Sequence, residues 1–113
     1  MKQSRELQTL KAEFFRALAH PVRIRLLEAL SASGEQSVQA LQQKLAIDQP
    51  IVSQQLAKLR ASGIVVGRKE GTTVWYALAD PRLADLLKVA KDILNGQLVG
   101  AQTLLRELRR ERA

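Results

Sequence analysis

Apolar residues recur at helical spacing along most of the chain and switch to a strand-like pattern only once. Leu7, Leu10, Phe14 and Leu18 stand three and four apart, which predicts a first helix from about Arg5 to Leu18. His20-Pro21 ends it and opens a second, since proline at the first helical position gives up an N–H that has no partner there anyway. Val22, Leu26, Leu27 and Leu30 form the apolar face of that second helix, which stops near Ser33-Gly34. Ser37 is placed to cap a short third helix carrying Leu41 and Leu45 inward. Ala46-Ile47-Asp48 makes a tight connection. Asp48 is expected to cap a fourth helix that has Pro50 in its first turn and ends near Ser62-Gly63.

The pattern changes between Ile64 and Leu78. Val65, Val66, Val74, Trp75 and Tyr76 are strand formers, and Glu70-Gly71 supplies a turn between two short runs. This predicts a β-hairpin with a basic limb at Arg68-Lys69. Trp75 and Tyr76 alternate, so one is expected against the core and the other half exposed. Asp80-Pro81 restarts a helix, whose apolar positions continue from Leu83 almost to the end. Gly96 and Gly100 fall inside it, either to kink it or to admit another helix closely. The expected fold is mainly α with a small β-hairpin wing: a winged helix-turn-helix in the order α-α-α-α-β-β-α. It forms a single domain over residues 1–113, with terminal helices at 5–18 and 81–110.

The last helix carries more apolar surface than so small a core can cover. Together with the first helix it asks for a partner, and an identical chain is the simplest one. Leu7, Leu10, Phe14, Leu86, Ile93, Leu94, Leu98, Ala101 and Leu105 are the expected dimer contacts.

Composition narrows the function. The chain has 113 residues, enough for one domain, and only 4% are aromatic, so its core must be built from Leu, Ile, Val and Ala. There is no cysteine, which removes disulfides and thiolate metal sites. No stretch approaches the roughly 20 apolar residues of a membrane span. The first ten residues carry no apolar signal core, so a cytoplasmic protein without membrane partners is expected. The formal net charge of +7 favours polyanions, nucleic acid first. Chemistry finds no foothold: there is no glycine-rich phosphate loop, no cysteine nucleophile, and one histidine without a triad. No enzymatic activity is expected.

The fourth helix is where the charge acquires a purpose. With Val52, Leu56 and Leu59 inward at about 100° per residue, Pro50, Ile51, Ser53, Gln54, Ala57 and Lys58 face outward. Gln49 and Gln55 stand at the flanks. Glutamine can bond adenine N6 and N7, serine can take a base edge or a phosphate, and Ile51 can meet a thymine methyl. A solvated polar face would use the same residues. The short helix, tight turn and second helix behind it tip the balance toward a DNA groove.

Longer stretches carry a resemblance. Residues 18–27 (LAHPVRIRLL), 45–59 (LAIDQPIVSQQLAKL), 61–65 (ASGIV) and 68–78 (RKEGTTVWYAL) resemble the second helix, recognition helix and wing of ArsR-type repressors. The likeness runs from about residue 12 to the last helix. It implies homodimers, joined through the first and last helices, that sit on two-fold operators in double-stranded DNA and usually repress. An effector or partner protein would release them. It also implies that Gln49, Pro50, Ile51, Ser53, Gln54 and Gln55 read bases with Lys58 beside them. Arg68, Lys69, Thr72 and Thr73, with Ser37, would hold phosphate or minor groove.

This sequence departs from the family where metals are sensed. Residues 38–42 (VQALQ) offer no cysteine pair on the third helix, and the last helix has Asp85 and Asp92 but no histidine. No cofactor is expected. His20 caps the second helix or serves as a ligand, and a hard-ligand metal such as nickel stays open there, built with carboxylates or the N-terminus. The arginines at 106, 109, 110 and 112 are a solvated helix end or an anion contact. Two other functions fit the composition. One is a nucleoid-type protein coating DNA without reading its sequence. The other is a winged-helix module that grips a protein.

Overall fold

Both proline-opened helices form where their caps stand. The structure is a computed structural model that describes the backbone of residues 2–112 and the side chains of residues 6–112. It divides into two compact units, one reaching to Pro81 and one beginning at Arg82.

The first unit holds α1 (Lys2–Leu18), α2 (Pro21–Ser33), β1 (Gln36–Ser37), α3 (Val38–Leu45), α4 (Gln49–Ala61), β2 (Val65–Glu70) and β3 (Thr73–Leu78). His20 is extended, and its Nδ1 accepts the Val22 N–H at 3.1 Å, the N-cap that the His20-Pro21 pair implies. Ser37 does the same for α3, its Oγ accepting from the Ala40 N–H at 3.1 Å. Asp48 departs from expectation. Its side chain makes no capping bond, and its backbone carbonyl alone accepts from the N–H groups of Ile51 and Val52. Pro50 in the first turn already removes one of the N–H groups a cap would serve.

α4 closes in a Schellman motif. Ile64 N–H reaches the Leu59 carbonyl at 2.9 Å and Gly63 N–H reaches Arg60 at 3.0 Å. This puts Gly63 at φ +74°, a left-handed conformation that glycine adopts without a Cβ penalty. The turn between α3 and α4 needs the same conformation at Ala46, φ +54°, where a Cβ is present.

β2 and β3 pair antiparallel from Val65 opposite Leu78 to Glu70 opposite Thr73, so Gly71 and Thr72 form a two-residue tip. The sheet has a third strand that the periodicity did not reveal. β1 pairs with β3, Gln36 opposite Tyr76 and Ser37 opposite Trp75, giving the order β1-β3-β2. The observed order is therefore α-α-β-α-α-β-β-α. β3 is the central strand, and all six of its residues are half buried, Trp75 and Tyr76 alike. One half-exposed ring was expected beside one packed on the core, and both are half exposed.

The core of this unit collects one face from each helix: Leu18, Leu26, Leu27, Leu30, Leu41, Val52, Leu56 and Leu59, closed by Ile64 and Val65 at the root of the hairpin. Truncating any fully buried leucine here to alanine costs about 2–5 kcal/mol. Leu7, Leu10 and Phe14, on the same periodic stripe of α1 as Leu18, remain exposed.

The second unit is one helix, α5 (Arg82–Arg112), 31 residues without a break at either glycine. It is therefore about 46 Å long. Val89, Ile93, Leu94, Leu98, Leu104, Leu105 and Leu108 are exposed along it, Leu98 at 64%. Leu86 is half buried and Ala101 exposed. A Cβ built at Gly96 or Gly100 would meet no atom within 4 Å. The arginines at its C-terminal end suit the negative pole of the helix dipole.

Candidate nucleic-acid interface

Four of the expected DNA-contacting residues line one cleft. Ser37 at the start of α3, Gln49 at the start of α4, and Thr72 and Thr73 at the hairpin tip surround about 530 Å³ with Val38, Gln39, Gln42 and Val74. Every polar group here is a neutral donor and acceptor of the kind that holds phosphate and sugar. Gln39 and Gln42 were not singled out from the sequence. Their signal is present in the spacing, since Gln39 and Gln42 stand three apart on α3, off the face that buries Leu41.

The outer face of α4 is as the helical spacing requires. Val52, Leu56 and Leu59 are fully buried, while Gln49, Pro50, Ile51, Gln54, Ala57 and Lys58 are exposed and Ser53 is half buried. Ile51 is 41% exposed, an uncovered branched side chain in a polar surround. Gln49 Nε2 donates to Ser53 Oγ at 3.0 Å, one turn along, which fixes both side chains on the same ridge and leaves the Gln49 amide oxygen free to accept.

Gln55 is the exception. Expected at the flank of the reading face, it is 7% exposed, and its Oε1 accepts from Arg23 Nε at 2.8 Å. Arg23 Nη1 also donates to the Ala17 carbonyl at 3.1 Å, so one guanidinium ties α1, α2 and α4 together. Gln55 is thus turned inward as a structural acceptor and stands apart from the exposed ridge of α4.

Arg68, expected on phosphate, is engaged elsewhere. Its Nη2 and Nε donate to Glu35 at 2.7 and 3.1 Å, and its Nη1 to Glu70 at 2.7 Å. These bonds raise the already high pKa of the guanidinium. They hold the Glu35 carboxyl below its ordinary range, chiefly through the hydrogen bonds from Arg68. Among the described residues Lys69 has no such partner and is the free cation of the wing.

Gly67 on β2 explains how the wing sits against the end of α4. A Cβ there would lie 3.1 Å from Arg60 Nη1 and 3.4 Å from a ring carbon of Tyr76. The missing side chain is the space that the Arg60 guanidinium occupies. His20 spends Nδ1 on its cap, and no three His, Asp or Glu side chains converge among the described residues. No helix among them is long and apolar enough to cross a membrane.

Known proteins share this sequence pattern and fold. A helix-turn-helix domain family matches residues 18–68, from the end of α1 to the middle of β2. An uncharacterized HTH-type transcriptional regulator of Mycobacterium tuberculosis, Rv0081, is 39% identical over 107 residues, covering 95% of this chain and 94% of its own. Its crystal structure superposes with a TM-score of 0.76 at 42% identity, over 84% of this chain and 95% of that one. The biofilm growth-associated repressor of Agrobacterium fabrum is 46% identical over 77 residues, 68% of this chain and 65% of its own. A homodimeric winged helix-turn-helix DNA-binding domain from Mycobacterium bovis, described as a possible ArsR-family regulator, superposes with a TM-score of 0.77 at 26% identity. That match covers 87% of this chain and 90% of the other. The chain belongs to the ArsR-type winged helix-turn-helix transcriptional regulators.

Proposed function

We propose that the protein is a homodimeric repressor that reads a two-fold operator and is released by an effector or a partner protein. The observation that carries this is the exposed ridge of α4, with Gln49, Ile51, Ser53 and Gln54, standing beside the cleft shared by Ser37, Thr72 and Thr73. A nucleoid coat would need lysine and arginine on that ridge. Here the ridge is glutamine, serine and isoleucine, residues that tell one base pair from another. Lys58 and Lys69 supply charge at its two sides, while Arg68 is held in reserve by Glu35.

Dimerisation is supported by α5. A lone helix with this much uncovered leucine is not stable in water without packing. The open space before Gly96 and Gly100 admits a second backbone at close range. The M. bovis relative is described as homodimeric. The polymerase would be blocked by occupancy alone.

In-vitro selection from random duplexes at ~150 mM salt tests the proposal, because phosphate binding without sequence preference is weak there. The expected result is a two-fold consensus with half-sites about 34 Å apart. Recovery of no consensus, with binding only at low salt, would discard the sequence-reading function.

A further inference from the structure

A second cleft, of about 450 Å³, lies between α1, α2 and the C-terminal half of α4. Its lining is cationic: Arg16 from α1, Arg23 from α2 and Lys58 from α4, against the single carboxylate of Glu13. Among the described residues none of the three cations has a carboxylate partner. Arg23 is half buried, and its two engaged nitrogens donate only to neutral oxygens, Gln55 Oε1 and the Ala17 carbonyl. Nη2 makes no hydrogen bond among the described residues. A half-buried guanidinium held in place by neutral acceptors keeps its charge and one donor arm available for an anion. Ala17, Ala61 and Ser62 complete the lining, two small apolar side chains and one hydroxyl.

We infer that this cleft binds a small organic anion, whose carboxylate or phosphate group is shared by Arg16, Arg23 and Lys58. Its apolar part lies over Ala17 and Ala61. The volume falls in the range of small-molecule sites. Glu13 at the same cleft leaves three cations facing one carboxylate, which suits one or two negative charges and disfavours a polyanion. The inference rests on the repressor proposal in one respect, namely that such a ligand regulates DNA binding. The route would be short. Arg23 grips Gln55 and Lys58 lies one turn further along the recognition helix, so a ligand drawing on both acts directly on α4. By linkage, whatever the anion does to DNA affinity, DNA does to anion affinity in equal measure.

The test titrates the full-length protein, without DNA, with acetate, benzoate, inorganic phosphate and glycerol 3-phosphate at constant ionic strength. Chloride is the reference, and ¹H–¹⁵N spectra are the readout. The expected result is saturable movement of the Arg23 Nε–H signal and of the α4 amides from Gln55 to Ala61 with at least one anion. The carboxylates and the phosphates, as separate arms, tell which group is preferred. Arg16→Gln should weaken that binding about tenfold while keeping the wild-type spectrum elsewhere, the melting temperature and the affinity for DNA without ligand. Absence of saturable movement with all four anions, or an Arg16→Gln protein that binds as tightly as wild type, overturns the inference. So does a loss of DNA affinity in Arg16→Gln with a shallower salt dependence, because the cleft would then be a seat for backbone phosphate. Because the titration contains no DNA, its outcome is independent of whether a consensus sequence is found.

Discussion

Arg68 and Glu35 meet through two parallel hydrogen bonds, 2.7 and 3.1 Å, that fasten the wing to the loop between α2 and β1. Both side chains are solvent-accessible, so the pair is more a positional restraint than a source of stability. It also neutralises the arginine that a DNA phosphate would otherwise attract.

Removing that restraint has a signed outcome. Glu35→Gln should raise affinity for DNA of any sequence severalfold and steepen its salt dependence, measured by fluorescence anisotropy between ~50 and 200 mM salt. An unchanged slope would mean that Arg68 never reaches phosphate. Acid should imitate the substitution. Since the Glu35 carboxyl titrates below its ordinary range, the tie is complete above that range and is lost as pH falls through the lowered value. The Arg68 Nε–H signal should therefore be constant near neutrality and move only below the ordinary carboxylate range. In Glu35→Gln that acid-dependent movement should be largely gone.

Two adjacent glutamines should separate reading from holding. Gln54→Ala should cost about 1–3 kcal/mol of discrimination at one base-pair position and leave stability nearly unchanged. Gln55→Ala should leave the preferred sequence intact and destabilise the fold by about 1–3 kcal/mol, because Arg23 loses its acceptor in a half-buried site. Chemical denaturation and a second round of DNA selection read both quantities. Equal loss of sequence preference in the two variants would contradict the assignment.

Lys69 carries the free charge of the wing. Lys69→Ala should weaken binding to all sequences alike and lower the slope of log K against log salt by about 0.9, the value for one phosphate. A change confined to certain sequences would move Lys69 to base contact.

α5 should tolerate an added charge only at the expense of assembly. Leu98→Asp is expected to convert a dimer into a monomer in sedimentation equilibrium and to reduce operator affinity by more than tenfold. The structure gives Leu98 no cover within its own helix. A dimer that survived the change would place the interface elsewhere.

Ala46 invites the opposite experiment, a gain. Its φ of +54° strains an L-residue, so Ala46→Gly should stabilise the protein by up to about 1 kcal/mol despite the greater freedom of glycine in the unfolded chain. A loss of stability on thermal unfolding would show that the entropy term prevails.

What the sequence conveyed was chiefly local. His20-Pro21, Ser37 and Gly63 mark helix ends through bonds spanning a few residues, and the structure places caps or closures at all three. The inward face of α4 followed from spacing alone. The unanticipated features depend on partners far along the chain. Gln55 sits at the edge of the buried face, and only Arg23, 32 residues earlier, decides that it turns inward. β1 is two residues long, too short to alternate, and exists because Tyr76 and Trp75 offer it a strand. Glu35 is an ordinary loop carboxylate until the hairpin folds back and brings Arg68 to it. Half-burial of both Trp75 and Tyr76 follows from the central place of β3, which pairing and not periodicity establishes.

The uncovered length of α5 makes copy number itself a control variable. If two chains must first meet, the melting temperature should climb with protein concentration, as mass action requires. At scarcity the assembled form grows with the square of the amount synthesised. A promoter governed by such a protein would respond sharply to modest changes in dose, with no ligand involved.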